Sequence, residues 1–363
     1  MPRRSFQYGR MLEDFEEGKT YDHPWDVTVD GGAVALFQAS FLDASPPYAS
    51  AVYARAIGLR DRPLHPLLLL NYGLSFSVHD ISEQAIAHLA YLDVRFPEAS
   101  YAGDTLTASS TVISAKKTSA GDRGVVHVRT LLVNQQDKVV CGFERKALVR
   151  AGGPLKDRPE APHAASPQRA RDEHRLPPEM RDHVLLPARK AGFFGYGKDF
   201  AEGDVLAHDI GRTVSEAEHM QLTFLVRNSH PLHYDEVYCK AGASFTGTRV
   251  VYGGLVFAWI ASLASRDTSG NVLWDMGFDN GAHPSGVVAG DTLFAASKVL
   301  EVKPHDSYTT QLTFRLVGVK NVRPSALLDA GADLFTAELG KKTGKVPEKV
   351  FEIDRTVLVP TSA

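Results

Sequence analysis

Ala102-Gly103-Asp104-Thr105-Leu106 returns letter for letter as Ala289-Gly290-Asp291-Thr292-Leu293, an offset of 187 residues. Outward from that pair the agreement continues. Asp14-Phe15-Glu16-Glu17-Gly18 recurs as Asp199-Phe200-Ala201-Glu202-Gly203, and Thr28-Val29-Asp30 as Thr213-Val214-Ser215, both at an offset of 185. At the same offset Phe41-Leu-Asp-Ala-Ser-Pro-Pro-Tyr48 falls on Val226-Arg-Asn-Ser-His-Pro-Leu-His233, and Val52-Tyr53 on Val237-Tyr238. Matches kept in one order along the chain mean a duplicated domain. Gly103-Asp104 and Gly290-Asp291 sit between strand-like runs, where turn chemistry accounts for them.

Between the copies, Ala151 to Asp182 holds six of the twenty prolines and almost no large apolar side chain. Such a stretch cannot bury enough surface to offset its ordering entropy, so it reads as a linker. The expected division is 8–150 for the first repeat, 151–183 for the linker and 184–361 for the second repeat.

Both copies show one order of elements. A strand start and a short helix (Gly31 to Phe41, or Glu216 to Val226) lead through a Pro-containing loop into an apolar helix at Pro66 to Val78 or Gly254 to Ser265. A helix apolar nearly all round is buried, here against a sheet. Strand-like runs follow at His88–Phe96, Thr105–Ile113, Gly124–Leu132 and Lys138–Val149, then at Asp291–Val302, Tyr308–Val317 and Val350–Val359. Asn134-Gln-Gln-Asp137 reads as a hairpin turn. The class is α+β, a long antiparallel sheet wrapped around one buried helix in each copy.

The 363 residues are 44% hydrophobic, 23% charged and 9% aromatic, a balance that excludes global disorder. Forty Lys plus Arg against 43 Asp plus Glu leave a net charge of -3, so nothing advertises nucleic acid or an anionic membrane. The apolar run at Pro66 to Val78 is interrupted by Asn71, Gly73 and Ser75, well short of the ~20 residues a membrane helix needs. Met1 to Tyr8 carries no apolar secretory stretch, and Cys141 and Cys239 lie far apart without a Cys-x-x-Cys pair. A cytoplasmic protein is expected. No P-loop, dinucleotide-binding glycine pattern or Gly-x-Ser-x-Gly elbow is present, which removes nucleotide hydrolysis and serine esterase chemistry.

Asn228-Ser-His-Pro-Leu-His-Tyr-Asp235, followed by Tyr252-Gly-Gly-Leu255, resembles the signature of MaoC-like (R)-specific enoyl-CoA hydratases: Asp-x-Asn-Pro-x-His-x-Asp, then His-Gly-(Met/Leu) at the start of the buried helix. The family fold is the hot dog, and two copies in tandem imply a double hot dog. The chain length, the Pro-rich linker and the wording of Ser229 to Glu236 and Ala289 to Leu293 are most similar to the mesaconyl-CoA hydratase branch. The resemblance implies a hydro-lyase in which His233 is the catalytic His and Gly254 the oxyanion glycine, with Asn228 where the family has its catalytic Asp. Arg227, Arg249, Asp235, Tyr252 and Gly253 border the motif and are candidates for substrate contact.

Adding water to a double bond conjugated with a thioester needs a base for the water, an acid for the alpha carbon and donors for the enolate oxygen. A helix N-terminus supplies such donors with its dipole behind them. Asn228 can orient water or carbonyl but cannot take a proton. His233 therefore works alone, or Asp235, Glu236 or Asp43 supplies a carboxylate. A dicarboxylic substrate explains the missing Asp, since a second fixed anion would repel it, and Arg227 and Arg249 are candidates to pair with the substrate carboxylate. In the first copy Asp43 occupies the Asp position, Tyr48 replaces the His, and Pro66, which has no N–H, falls at the oxyanion glycine. One active site per chain is expected, in the second copy, with the first as a non-catalytic partner half and the CoA arm between them.

Simpler readings stand beside these. Asn228 can merely cap a turn, Asp43 can be a turn residue, and the two arginines can be solvated. His230 and His233 have metal-compatible spacing without an evident third ligand, so no metal is expected. No cofactor is expected either, coenzyme A being part of the substrate. An acyl-CoA thioesterase on the same fold and a silent acyl-CoA-binding protein are the alternatives. A homodimer is expected from the sheet edges of such folds.

Overall fold

The computed structural model describes residues 6–153, 172–182, 184–188, 191–192, 194–338, 341 and 343–363. Most of the predicted linker lies outside these residues. Ten strands form one continuous sheet: β1 (Thr20–Thr28), β2 (Ala85–Arg95), β3 (Thr105–Lys117), β4 (Arg123–Asn134), β5 (Val139–Arg150), β6 (Val205–Thr213), β7 (Trp274–Ala282), β8 (Thr292–Pro304), β9 (Thr309–Lys320) and β10 (Lys349–Pro360). The spatial order β1-β3-β4-β5-β2-β7-β10-β9-β8-β6 reads alike from either edge, since β6 to β10 repeat β1 to β5. All paired neighbours are antiparallel.

The repeated Ala-Gly-Asp-Thr-Leu stretch begins β3 and β8. Gly103 (φ 98°) and Gly290 (φ 92°) take the left-handed backbone that favours glycine. Asp104 Oδ2 accepts from the Tyr101 amide at 2.8 Å, and Asp291 Oδ2 from the Val288 amide at 3.0 Å. A second repeated device escaped sequence reading. His23 bridges Asp80 (3.1 Å) and Ser110 (2.7 Å), while His208 bridges Asp267 (2.7 Å) and Ser297 (3.0 Å), tying the outer strands to the segment that ends each central helix.

The central helices run over Pro66–Phe76 and Gly253–Thr268. Every residue of the first is buried, as its unbroken apolar run predicts. Pro66 suits the first helical position because no intrahelical bond needs its N–H, and His65 Nδ1 caps the helix by accepting from the Leu67 amide at 3.1 Å. The second helix starts at Gly253, one residue before the expected Gly254, so Pro66 and Gly253 occupy the same first helical position. The helices touch near their starts: Asn71 Nδ2 donates to the carbonyls of Leu67 (2.7 Å) and Gly254 (3.2 Å). A Cβ on Gly254 would lie 2.0 Å from Asn71 Oδ1, so this glycine is required by helix packing. One hydrophobic core holds both helices.

β7 was not foreseen. Trp-Asp-Met-Gly-Phe-Asp-Asn-Gly-Ala carries two glycines, two aspartates and an asparagine in nine residues, all poor strand formers. They belong here because β2 and β7 meet closely where the halves join, through Tyr91↔Gly281 and Val94↔Phe278. A Cβ at Gly277 would lie 2.2 Å from the Val94 carbonyl oxygen.

Candidate functional site

The loop after the helix Glu216–Leu225 carries the residues singled out by sequence. Asn228 is buried, and its Oδ1 accepts from the His230 amide at 3.0 Å, fixing the turn. Leu232 and Val250 then clamp the loop to the start of the second central helix. The Val250 amide donates to Leu232 O at 3.1 Å, and His233 Nδ1 donates to Val250 O at 2.8 Å. A carbonyl only accepts, so the His233 proton sits on Nδ1, and Nε2 carries a lone pair with no partner among the described residues. Burial lowers the His233 pKa to about 4, against the raising effect of the Val250 bond and helped by nearby His219. At neutral pH this imidazole is an uncharged base.

His233, Asn228, Tyr252 and Gly253 line a cavity of ≈ 140 Å³. The His233 and Tyr252 rings lie 5.4 Å apart. Burial raises the Tyr252 hydroxyl pKa to about 12, opposed by Ser75, Arg145 and Asn228, so it stays protonated. Gly253 opens a sixteen-residue helix whose first amides have no intrahelical acceptors. A Cβ on Gly253 would meet His283 Nε2 at 2.8 Å. Gly254, the second helical residue, packs on Asn71 behind the cavity wall.

Three expected contacts are placed elsewhere. Arg249 is held by Glu216 and, at 3.2 Å, by Glu236. Arg227 is exposed with φ 63°, the left-handed turn that ends the preceding helix. Asp235 is exposed and caps the next short helix through the Tyr238 amide at 3.0 Å. The candidate carboxylates are absent from the cavity too. Glu236 is engaged by Arg249, and Asp43 lies in the corresponding loop of the first half, 3.5 Å from His65. Among the described residues no Asp or Glu lines the cavity.

The opposite wall comes from the first half: His88 and Tyr91 on β2 and Arg145 on β5, together with the π-helical turn Val78–Ser82. Tyr91 Oη lies 3.1 Å from His283 Nε2. Sequence reading missed this wall. Its visible signal was Arg145 itself, a charged residue in the inward phase of a strand whose other inward positions are Phe143, Ala147 and Val149. Among the described residues no group of three or more His, Cys, Asp or Glu could hold a metal ion, and no helix is long and apolar enough to cross a membrane.

The model of the mesaconyl-CoA hydratase family matches residues 4–324. The chain is 31% identical over 352 residues to the beta-methylmalyl-CoA dehydratase of Chloroflexus aurantiacus, covering 97% of each. It is 33% identical over 362 residues to the mesaconyl-CoA hydratase of Cereibacter sphaeroides, covering 97% of this chain and 98% of that one. Among solved structures, a MaoC domain protein dehydratase from Chloroflexus aurantiacus aligns with TM-score 0.81, 28% identity and 98% coverage of both chains. A Mycobacterium tuberculosis protein described as having a double hotdog fold aligns with TM-score 0.68, 20% identity and coverage of 96% and 98%. These likenesses agree with the fold expected from the repeat.

Proposed function

Because the chain belongs to the mesaconyl-CoA hydratase family, we propose that it adds water reversibly across the double bond of mesaconyl-CoA to give beta-methylmalyl-CoA. The observation that carries the reading is His233: a neutral imidazole whose proton is pinned on Nδ1 by Val250, presenting Nε2 to the cavity beside the open helix start. Nε2 takes a proton from water as the water oxygen bonds to the β-carbon. The π electrons move onto the thioester oxygen as an enolate, facing the Gly253 or Gly254 amide and the positive helix end. The imidazolium then returns a proton to the α-carbon, so one residue serves as base and acid. Asn228 and the Tyr252 hydroxyl position water or carbonyl. The thioester acidifies the α-proton, so this route calls on no metal or redox group.

The same reading makes the second repeat (184–361) catalytic and the first (8–150) its partner half, with 151–183 as linker and the CoA arm between the halves. A cytoplasmic homodimer is the proposed state, β1 and β6 being the free edges of the sheet. The test is turnover of mesaconyl-CoA by the full chain, followed through loss of the conjugated double bond together with assay of free thiol. Hydration without thiol release is expected, and His233→Gln should lower kcat by about 10²–10⁴, the usual worth of a general acid/base. Thiol release would mark a thioesterase instead. Binding of CoA esters without turnover would mark a silent binding protein.

A further inference from the structure

Arg145 is a cation buried against the cavity with no counter-ion. It is 3% exposed. One terminal nitrogen, Nη2, donates to Ser77 Oγ at 2.8 Å and more weakly to Ser82 Oγ at 3.4 Å, while its Nε makes no hydrogen bond. Among the described residues no carboxylate pairs with it. Burial lowers its pKa to about 10, with Tyr252 and Tyr91 opposing, so it remains charged at neutral pH. Beside it His88 lines the same cavity, with neither ring nitrogen bonded. Unpaired buried charge is costly unless something neutralises it.

The duplication supplies the comparison. Tyr91 pairs with Arg145 across β2 and β5, and Phe278, its equivalent at the offset of 187, pairs with Arg355 across β7 and β10. Arg355 is therefore the counterpart of Arg145, and Asp275 the counterpart of His88. In the second half's strands the arginine is satisfied: Arg355 Nε donates to Asp275 Oδ1 at 2.7 Å, both side chains being buried. At the cavity that carboxylate has become an imidazole, and the loop carboxylate facing it has become Asn228 in place of Asp43. Around the cavity guanidinium, both positions that carry a carboxylate in the other half carry a side chain without one.

We propose that Arg145, supplied by the non-catalytic half, is the subsite for the free carboxylate of a dicarboxylic acyl-CoA, with His88 and Ser82 beside it. The substrate carboxylate takes the place that the Asp275 side chain occupies in the other half. In mesaconyl-CoA that carboxylate sits on the carbon that water attacks, so its capture also orients the double bond toward His233. This inference rests on the acyl-CoA reading above.

Its test is calorimetric binding to the full chain of two saturated, unreactive thioesters: methylsuccinyl-CoA, with a free carboxylate, and butyryl-CoA, without one. The wild type is expected to prefer methylsuccinyl-CoA by about 100-fold, the scale of a charge-assisted pair in a desolvated site. Arg145→Met should erase that preference by weakening methylsuccinyl-CoA alone. His88→Asp should do the same while keeping a satisfied pair, because the new carboxylate copies Asp275 and competes with the ligand; it decides the matter if Arg145→Met fails to fold. Equal binding of the two esters by the wild type, equal losses for both in the variants, or a preference that survives both variants would each overturn the proposal. A preference without mesaconyl-CoA turnover would leave the subsite standing and remove the hydratase reading.

Discussion

The two loops that cross from one half to the strands of the other have the same plan and opposite contents. On the side without the cavity Asp43 accepts from the Ser45 amide at 2.7 Å and lies 3.5 Å from His65, Tyr48 is 1% exposed and accepts from the Asp275 amide at 3.2 Å, and Asp275 neutralises Arg355. On the cavity side Asn228, His233, Tyr252 and Gly253 stand at the matching positions, and His88 faces Arg145. The first side sets Asp43 against His65 and Asp275 against Arg355, although Asp43 Oδ2, His65 Nε2 and Asp275 Oδ2 make no hydrogen bond. The other leaves an imidazole nitrogen and a hydroxyl without hydrogen bonds, helix amides without intrahelical acceptors, and a guanidinium without a carboxylate among the described residues, all around a cavity. A buried guanidinium without a carboxylate is costly, and in that one respect the cavity side differs from the other and suits an anionic ligand.

Breaking the closed side should have the largest effect. Asp275→Asn leaves Arg355 buried without its partner, and the expected loss is about 3–5 kcal/mol of unfolding free energy, read from urea denaturation. An unchanged midpoint would mean that the pairing on the closed side does not stabilise it.

The helix starts can be compared more finely by giving the cavity side the residue of the closed side. Gly253→Pro removes the N1 donor, as Pro66 does, and also presses on His283. Gly253→Ala presses on His283 but keeps the donor. The ratio of their kcat values should be about 10²-fold in favour of the alanine if the Gly253 amide holds the enolate oxygen. Equal values would move that role to Gly254.

The smallest effect is a difference in acid response. His233 and His283 are lowered to about 4 and His230 to about 3, burial being the main cause in each. Their unfolded values lie near 6.5, so the unfolded chain takes up protons first, and their share of stability is complete above about pH 6.5 and lost as pH falls toward 4. Asp43 behaves otherwise. Burial works to raise its pKa, yet His65, Arg355 and Ser45 hold it at about 2, so its share is lost only below about pH 4. Unfolding free energy should therefore decline in two stages, and kcat/KM should stay level from pH 8 to about 5 and fall below that. A fall in kcat/KM centred near pH 6.5 would show that His233 is not the desolvated base the geometry describes.

Much of this was legible in the letters. The Ala-Gly-Asp-Thr-Leu repeat located the same turn in both halves because a left-handed glycine and an aspartate reaching back three residues are local requirements. The alternating and all-apolar runs located β3, β4, β5, β8, β9, β10 and both buried helices for a similar reason. β7 was hidden because its glycines answer to β2 across the join and not to strand propensity. Of the residues lining the cavity, Asn228 and His233 were named from one stretch of eight residues and Tyr252 and Gly253, as substrate contacts, from a second at the helix start, whereas Gly254, the expected oxyanion glycine, is not among the lining residues. The pairing of Arg227 and Arg249 with a substrate could not be judged from proximity in sequence, since Arg249 turns to Glu216 and Glu236 and Arg227 ends a helix in solvent.

Duplication and the order of elements are thus written into the chain itself, because periodicity and turn chemistry act over short separations, and the loop proposed as catalytic is marked there by a motif of eight residues. Which arginine faces the cavity, which carboxylates stay away from it and which glycine amide opens onto it depend on two halves meeting edge to edge. There the environment of a charge is set by residues far away in sequence, 63 and 68 positions for the serines on Arg145 and 80 for the carboxylate on Arg355, and only their packing decides whether that charge is already neutralised or still available to a ligand.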